Sequence, residues 1–139
     1  MSTIAAVAPP PGSGLRGVIR VSGPAAAELV RATLRPPPAR DALARRAAFR
    51  GRFDDGRGTQ PVLLFWMPAP RSYTREDVAE FHLPGSAPLL DAALARLLAL
   101  GAAPAMPGEF TRRAFENGRI DLSRAEGVLA LVEAENERS

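Results

Sequence analysis

Gly17-Val18-Ile19-Arg20-Val21-Ser22-Gly23-Pro24 is the stretch on which the fold turns. Its β-branched residues predict a strand over Gly17 to Ser22. Gly23-Pro24 then opens a helix, because the fixed φ of proline suits the first helical turn. Behind it Ala26, Leu29, Val30 and Thr33 recur at helical spacing. Pro36-Pro37-Pro38 ends that helix and makes a stiff connector. Just upstream, Gly12-Ser13-Gly14-Leu15-Arg16-Gly17 spells G-x-G-x-x-G. A dinucleotide fingerprint must follow a strand and open a helix, whose N-terminus holds the pyrophosphate. Here the glycines run into a β-branched strand, so the pattern favours a flexible loop over nucleotide binding.

Working outward, Thr3 to Val7 predicts a short first strand, stopped by Pro9-Pro10-Pro11-Gly12. Ala48 to Asp54 sets Phe49, Gly51 and Phe53 against Arg50 and Arg52, a half-buried strand. Asp54-Asp55-Gly56 carries hairpin chemistry. Val62 to Met67 is apolar on both faces, as in a central strand. A proline-containing loop, Pro68 to Thr74, precedes a strand over Asp77 to Leu83, with Val78, Glu80 and His82 on one face and Ala79, Phe81 and Leu83 on the other. Pro88 to Leu100 predicts a helix with Leu90, Ala93, Leu94 and Leu97 as its apolar stripe and Gly101 as its stop. Ser123-Arg124-Ala125-Glu126 fits a capping box, and Ala125, Val128, Leu129 and Val132 repeat behind it. Strands and helices mix without strict alternation. The class is α+β, a mixed or antiparallel sheet with flanking helices.

The chain has 139 residues, enough for one compact domain with a real core. It has no cysteine, which removes disulfide and thiolate chemistry. The pI near 10.8 overstates its basicity, because every one of the 18 basic residues is arginine and net charge is only +3. Without lysine no G-x-x-x-x-G-K-[ST] loop exists, so the chain is expected neither to bind nor to hydrolyse GTP. The start Met1-Ser2-Thr3-Ile4 lacks the features of a secretory signal, and no apolar run reaches the roughly 20 residues of a membrane helix. The expectation is a soluble, cytoplasmic protein with no membrane partner. One histidine and no cysteine exclude the usual zinc sets, so no metal is expected.

Three charged residues stand among apolar strands or turns. Arg20 interrupts Val18-Ile19-Val21, Glu80 interrupts Val78-Ala79-Phe81, and Arg119 lies in Asn117-Gly118-Arg119-Ile120-Asp121. Each is either solvent-facing or held for a ligand, and pattern alone favours the solvent-facing reading. His82 reads as structural or pocket-lining, and no triad context makes it catalytic.

At these positions the sequence resembles the N-terminal domain of the MnmE/TrmE family of tRNA-modifying GTPases. Thr3-Ile4-Ala5-Ala6 and Pro10 to Gly23 match its opening, T-I-x-A followed by T-P-P-G-x-G-G-I-G-I-x-R-x-S-G. Pro68-Ala69-Pro70-Arg71-Ser72-Tyr73-Thr74-Arg75-Glu76-Asp77-Val78-Ala79-Glu80 matches P-x-P-x-S-[FY]-T-x-E-D-x-x-E. Pro107-Gly108-Glu109-Phe110 through Ala125-Glu126 matches P-G-E-F-[ST]-x-R-A-F-x-N-x-[KR]-[ILM]-D-L-x-[QR]-A-E.

The resemblance implies a domain related to the tetrahydrofolate-binding domain of aminomethyltransferases. Such a domain self-associates as a homodimer and binds 5-formyl-tetrahydrofolate or a related tetrahydrofolate. It places Arg20, Glu80 and Arg119 on the folate, the glutamate for the pterin edge and guanidinium groups for the glutamyl tail. It also implies a role in tRNA wobble-uridine modification, with a GidA/MnmG-type flavoprotein as partner and tRNA touched only indirectly. Residues 1–122 correspond to the folate-binding domain and 123–139 to the start of the family's helical domain, with no GTPase domain. Two other readings are a stand-alone interaction module that only dimerises and a small folate-dependent one-carbon transferase, whose acid or base could only be Glu80 or His82. The sequence departs from the family after Glu80, where Phe81-His82-Leu83-Pro84-Gly85-Ser86 replaces a glycine-rich loop. Proline and leucine stiffen that segment, which predicts weaker folate binding.

Overall fold

A computed structural model describes residues 1–8 and 16–138. The predicted turn at Pro9-Pro10-Pro11-Gly12 and the glycine run Gly12 to Leu15 lie outside the described residues. Seven strands form one sheet: β1 (Ile4–Ala8), β2 (Arg16–Ser22), β3 (Leu34–Arg35), β4 (Ala47–Asp54), β5 (Thr59–Met67), β6 (Val78–Pro84) and β7 (Ala103–Pro104). Their order across the sheet is β3-β4-β5-β6-β2-β1-β7. All neighbours are antiparallel except β1 and β7. With helices α1 (Ala26–Thr33), α2 (Ala87–Ala99), α3 (Glu109–Glu116) and α4 (Leu122–Arg138), the fold is α+β.

Period-2 alternation decides what the sheet buries. Val62, Leu64 and Trp66 of β5, Phe81 and Leu83 of β6, and Ile19 and Val21 of β2 point into one core. That core is roofed by Ala26, Leu29 and Val30 of α1 and Ala93 and Leu97 of α2, the residues whose helical spacing predicts burial. Phe53 and Phe81 meet edge to face at 5.3 Å, and Trp66 donates its indole N–H to the Leu43 carbonyl at 2.9 Å. Each large side chain so buried stabilises the fold by about 1.5–3 kcal/mol. The hairpin turn forms as predicted. Asp55 Oδ1 accepts from the backbone N–H of both Arg57 and Gly58, and these two bonds hold its carboxyl below the usual value of 3.8.

Two expectations change. Strand β5 is central, yet Leu63, Phe65 and Met67 on its second face are only half-buried. Both core helices lie on the other side, so this face of the sheet is left partly open. The last helix begins at Leu122, and its cap is Asp121, whose Oδ1 accepts from the Arg124 backbone N–H at 2.8 Å. Ser123 therefore sits within the first turn. Aspartate caps as well as serine, and here it stands two residues earlier in the chain. Of the stripe on α4, Ala125 is buried, Leu129 and Val132 are half-buried, and Val128 remains exposed.

Candidate functional site

The partly open sheet face carries the site. Strand register sets Arg20 opposite Glu80 and Glu80 opposite Phe65, so one row crosses β2, β6 and β5. The next rows hold Val18, His82 and Leu63 on one side, and Ser22, Val78 and Met67 on the other. Directly opposite residues on one face are the closest pairs a sheet offers. Arg20 accordingly donates from Nε to Glu80 Oε2 at 2.8 Å. The Arg20 guanidinium lies 5.7 Å from the centre of the Phe110 ring of α3, within cation–π reach. Glu80 Oε1 accepts no hydrogen bond from a described residue. His82 Nε2 lies 3.7 Å from it, beyond bonding distance.

His82 packs edge-on against Phe65, with ring centres 4.9 Å apart, and both its ring nitrogens are buried without a partner. Burial lowers its pKa from the ordinary 6.5; Glu80 opposes this, and Arg16 and Arg20 reinforce it. Its imidazole is therefore predominantly neutral at pH 7, and its buried ring packed on Phe65 fits the structural side of the expectation that it is structural or pocket-lining.

The structure brings Arg20 and Glu80 together and leaves Arg119 apart. Arg20, Glu80, Met67, Tyr73, Thr74 and Val78 line a hollow of about 360 Å³. Arg119 is exposed and lines an adjoining hollow of about 640 Å³, which shares Met67 and Tyr73 with the first. Met67 and Tyr73 thus form the wall that the two hollows share. The Tyr73 hydroxyl lies 3.1 Å from Thr111 Oγ1 of α3.

Hydrophobic patterning gives no sign of what holds that wall. Arg113 of α3, only 6% exposed, is the centre of a buried polar network. It donates to Glu76 at 3.0 Å, to Glu109 at 3.2 Å, and to the backbone carbonyl and hydroxyl of Ser2 at 2.7 and 3.0 Å. Glu76 also accepts from Ser22 Oγ at 2.8 Å, and Ser22 Oγ lies 2.7 Å from Thr74 Oγ1. Asn117 Nδ2 donates to the Thr74 carbonyl at 2.7 Å. The loop between β5 and β6 is thereby tied to β2, α3 and the N-terminal residues. Glu109 four residues before Arg113 is the one local signal for it.

Among the described residues no group of three or more His, Cys, Asp or Glu could hold a metal ion, and no helix is long and apolar enough to cross a membrane. The fold is thus an α+β domain whose sheet has one roofed face and one face bearing a paired arginine and glutamate over a hollow. The family model for the GTP-binding protein TrmE N-terminus matches residues 3–119, and the chain belongs to that family. It is 45% identical over 137 residues to the tRNA modification GTPase MnmE of Heliobacterium modesticaldum, covering 95% of this chain and 29% of that protein. The MnmE proteins of Alkalilimnicola ehrlichii and Phenylobacterium zucineum are 48% and 46% identical, covering 99% and 97% of this chain. The chain spans about three-tenths of the length of these relatives, 30% of each of the latter two.

Proposed function

We propose that this chain is a tetrahydrofolate-binding and dimerisation module of the tRNA wobble-uridine modification system, with 5-formyl-tetrahydrofolate as its ligand. The observation that carries the reading is the Arg20–Glu80 pair on the partly open sheet face of a TrmE N-terminal domain, with Glu80 Oε1 left without a donor. A pterin's amino-pyrimidinone edge offers two parallel N–H donors, which suit the two oxygens of one carboxylate. Oε1 would take one donor, and Oε2 would share the other with Arg20. The terminal nitrogens of Arg20 make no hydrogen bond to a described residue and suit the ring carbonyl. Arg119, in the adjoining hollow, suits a carboxylate of the glutamyl tail. The bound folate would supply a one-carbon unit at the formyl level. This chain's own residues bind and orient it, and none is placed as a catalytic acid or base.

Self-association as a homodimer, a cytoplasmic setting, a GidA/MnmG-type flavoprotein partner and indirect contact with tRNA belong to the same reading, supported by the family. Calorimetric titration with 5-formyl-tetrahydrofolate tests it. Glu80→Ala is expected to weaken binding by about 1.5–3 kcal/mol, the scale of a charge-assisted hydrogen bond. Equal binding by wild type and variant would remove Glu80 as the pterin anchor. Absence of binding by the wild type at millimolar folate would leave only the interaction module. Light scattering should give twice the chain mass of 14.8 kDa.

A further inference from the structure

The larger hollow carries more charge than a single glutamyl tail requires. Four guanidinium groups line it: Arg46 ahead of β4, Arg71 and Arg75 of the loop between β5 and β6, and Arg119 after α3. Among the described residues no carboxylate lines it. Arg46, Arg71 and Arg119 make no side-chain hydrogen bond or ion pair with a described residue, and Arg75 donates only to the neutral Asn117 carbonyl at 3.2 Å. Like charges around one concavity repel each other, and no ion pair with a described residue offsets them here. Arg75 also sits at φ 63, a left-handed conformation uncommon for a residue with a Cβ. The loop thus holds a cation at the hollow's rim in a backbone state that favours glycine.

We propose that this hollow is a polycarboxylate subsite, which takes the additional γ-linked glutamates of a polyglutamylated folate whose ring lies at Arg20 and Glu80. This rests on the folate reading above. Three features favour a ligand tail over a nucleic-acid backbone. The arginines converge on a concavity; that concavity shares Met67 and Tyr73 with the ring hollow, so one ligand can occupy both; and a forked guanidinium pairs bidentately with carboxylates.

The test is calorimetric titration of the full chain with the monoglutamate and pentaglutamate forms of 5-formyl-tetrahydrofolate. The pentaglutamate is expected to bind at least about tenfold tighter, and the preference to shrink as salt rises from about 0.05 to about 0.5 M, because exposed charges are screened. Arg46→Ser/Arg71→Ser, at two exposed residues without side-chain bonds, is expected to bring the two affinities to within about twofold. Monoglutamate binding with no preference for the longer tail overturns the subsite and leaves the folate reading standing. A preference undiminished in the double variant overturns it too, since half of the hollow's guanidinium groups would then contribute nothing to it. Binding of neither form overturns both. Binding of tRNA that the double variant abolishes, with no polyglutamate preference, reassigns the hollow to nucleic acid.

Discussion

Arg113→Met removes the hub of the buried network and leaves most of its partners in place. The arginine side chain is 7% exposed and that of Glu76 12%, so neither charge is well solvated. After the substitution Glu76 keeps only the Ser22 hydroxyl as a side-chain donor, whereas Glu109 retains the Met106 backbone N–H at 2.9 Å. The penalty therefore falls mainly on Glu76, a nearly buried carboxylate without its counter-charge. Breaking a buried pair from one side costs about 3–5 kcal/mol. Domains of this size are stable by about 5–15 kcal/mol, so the variant should still fold. Urea denaturation followed by the fluorescence of Trp66 measures the loss, and the thermal midpoint should fall by about 10 °C or more. Arg113→Met/Glu76→Gln, which leaves no uncompensated charge, is expected to recover at least about half of the stability lost. A cost below about 1 kcal/mol for the single variant would refute the reasoning, because the pair would then behave as a surface ion pair.

His82 supplies a pH dependence. Its folded-state pKa lies below 6.5, so the unfolded chain takes up a proton first and stability falls as pH drops through 6.5, levelling off below the folded-state value. The difference in thermal midpoint between wild type and His82→Gln should change between pH 7.5 and pH 5; a constant difference contradicts the assignment. Gly23→Ala would place a Cβ 2.6 Å from the Thr3 Cα at φ +142, whereas one at Gly58 meets nothing within 4 Å. The first should destabilise by about 2 kcal/mol or more and the second by no more than about 0.5 kcal/mol, so equal effects in denaturant titrations would be inconsistent with this packing.

Strand phase is legible in the sequence alone. The alternation along Asp77 to Leu83 puts Glu80 and His82 on the face opposite Phe81, and that is where they stand. Pairing is not legible in local pattern. That Arg20 meets Glu80 depends on register between strands 60 residues apart, which no window of sequence contains. The half-burial of Leu63, Phe65 and Met67 is hidden for a similar reason, since which face the helices roof is set by connection geometry and not by β5 itself. Helix α3 gives little apolar signal because Glu109, Arg112, Arg113 and Glu116 crowd eight residues with charge. The burial of Arg113 arises from partners as distant in the chain as Ser2. The cap at Asp121 is a contest between two equally good cappers, decided by where the turn at Gly118, φ 77, delivers the chain.

The sheet order sets a sequence of folding events. Strands β4, β5 and β6 form a meander whose first turn closes between Asp54 and Thr59, and such local hairpins form on a microsecond scale. Strand β2 must then find β6 across the long intervening segment, and β1 pairs Ile4 with Ala103 at still greater separation. Long loops are entropically slow to close, so β2 and β1 are expected to join last. The Arg20–Glu80 pair straddles that seam, half of it on the early meander and half on the late strand. The pair is therefore expected to be assembled only at the final step of folding. In pulse-labelled hydrogen exchange, amides of Val62 to Met67 should gain protection before those of Gly17 to Ser22, and the reverse order would place the seam elsewhere.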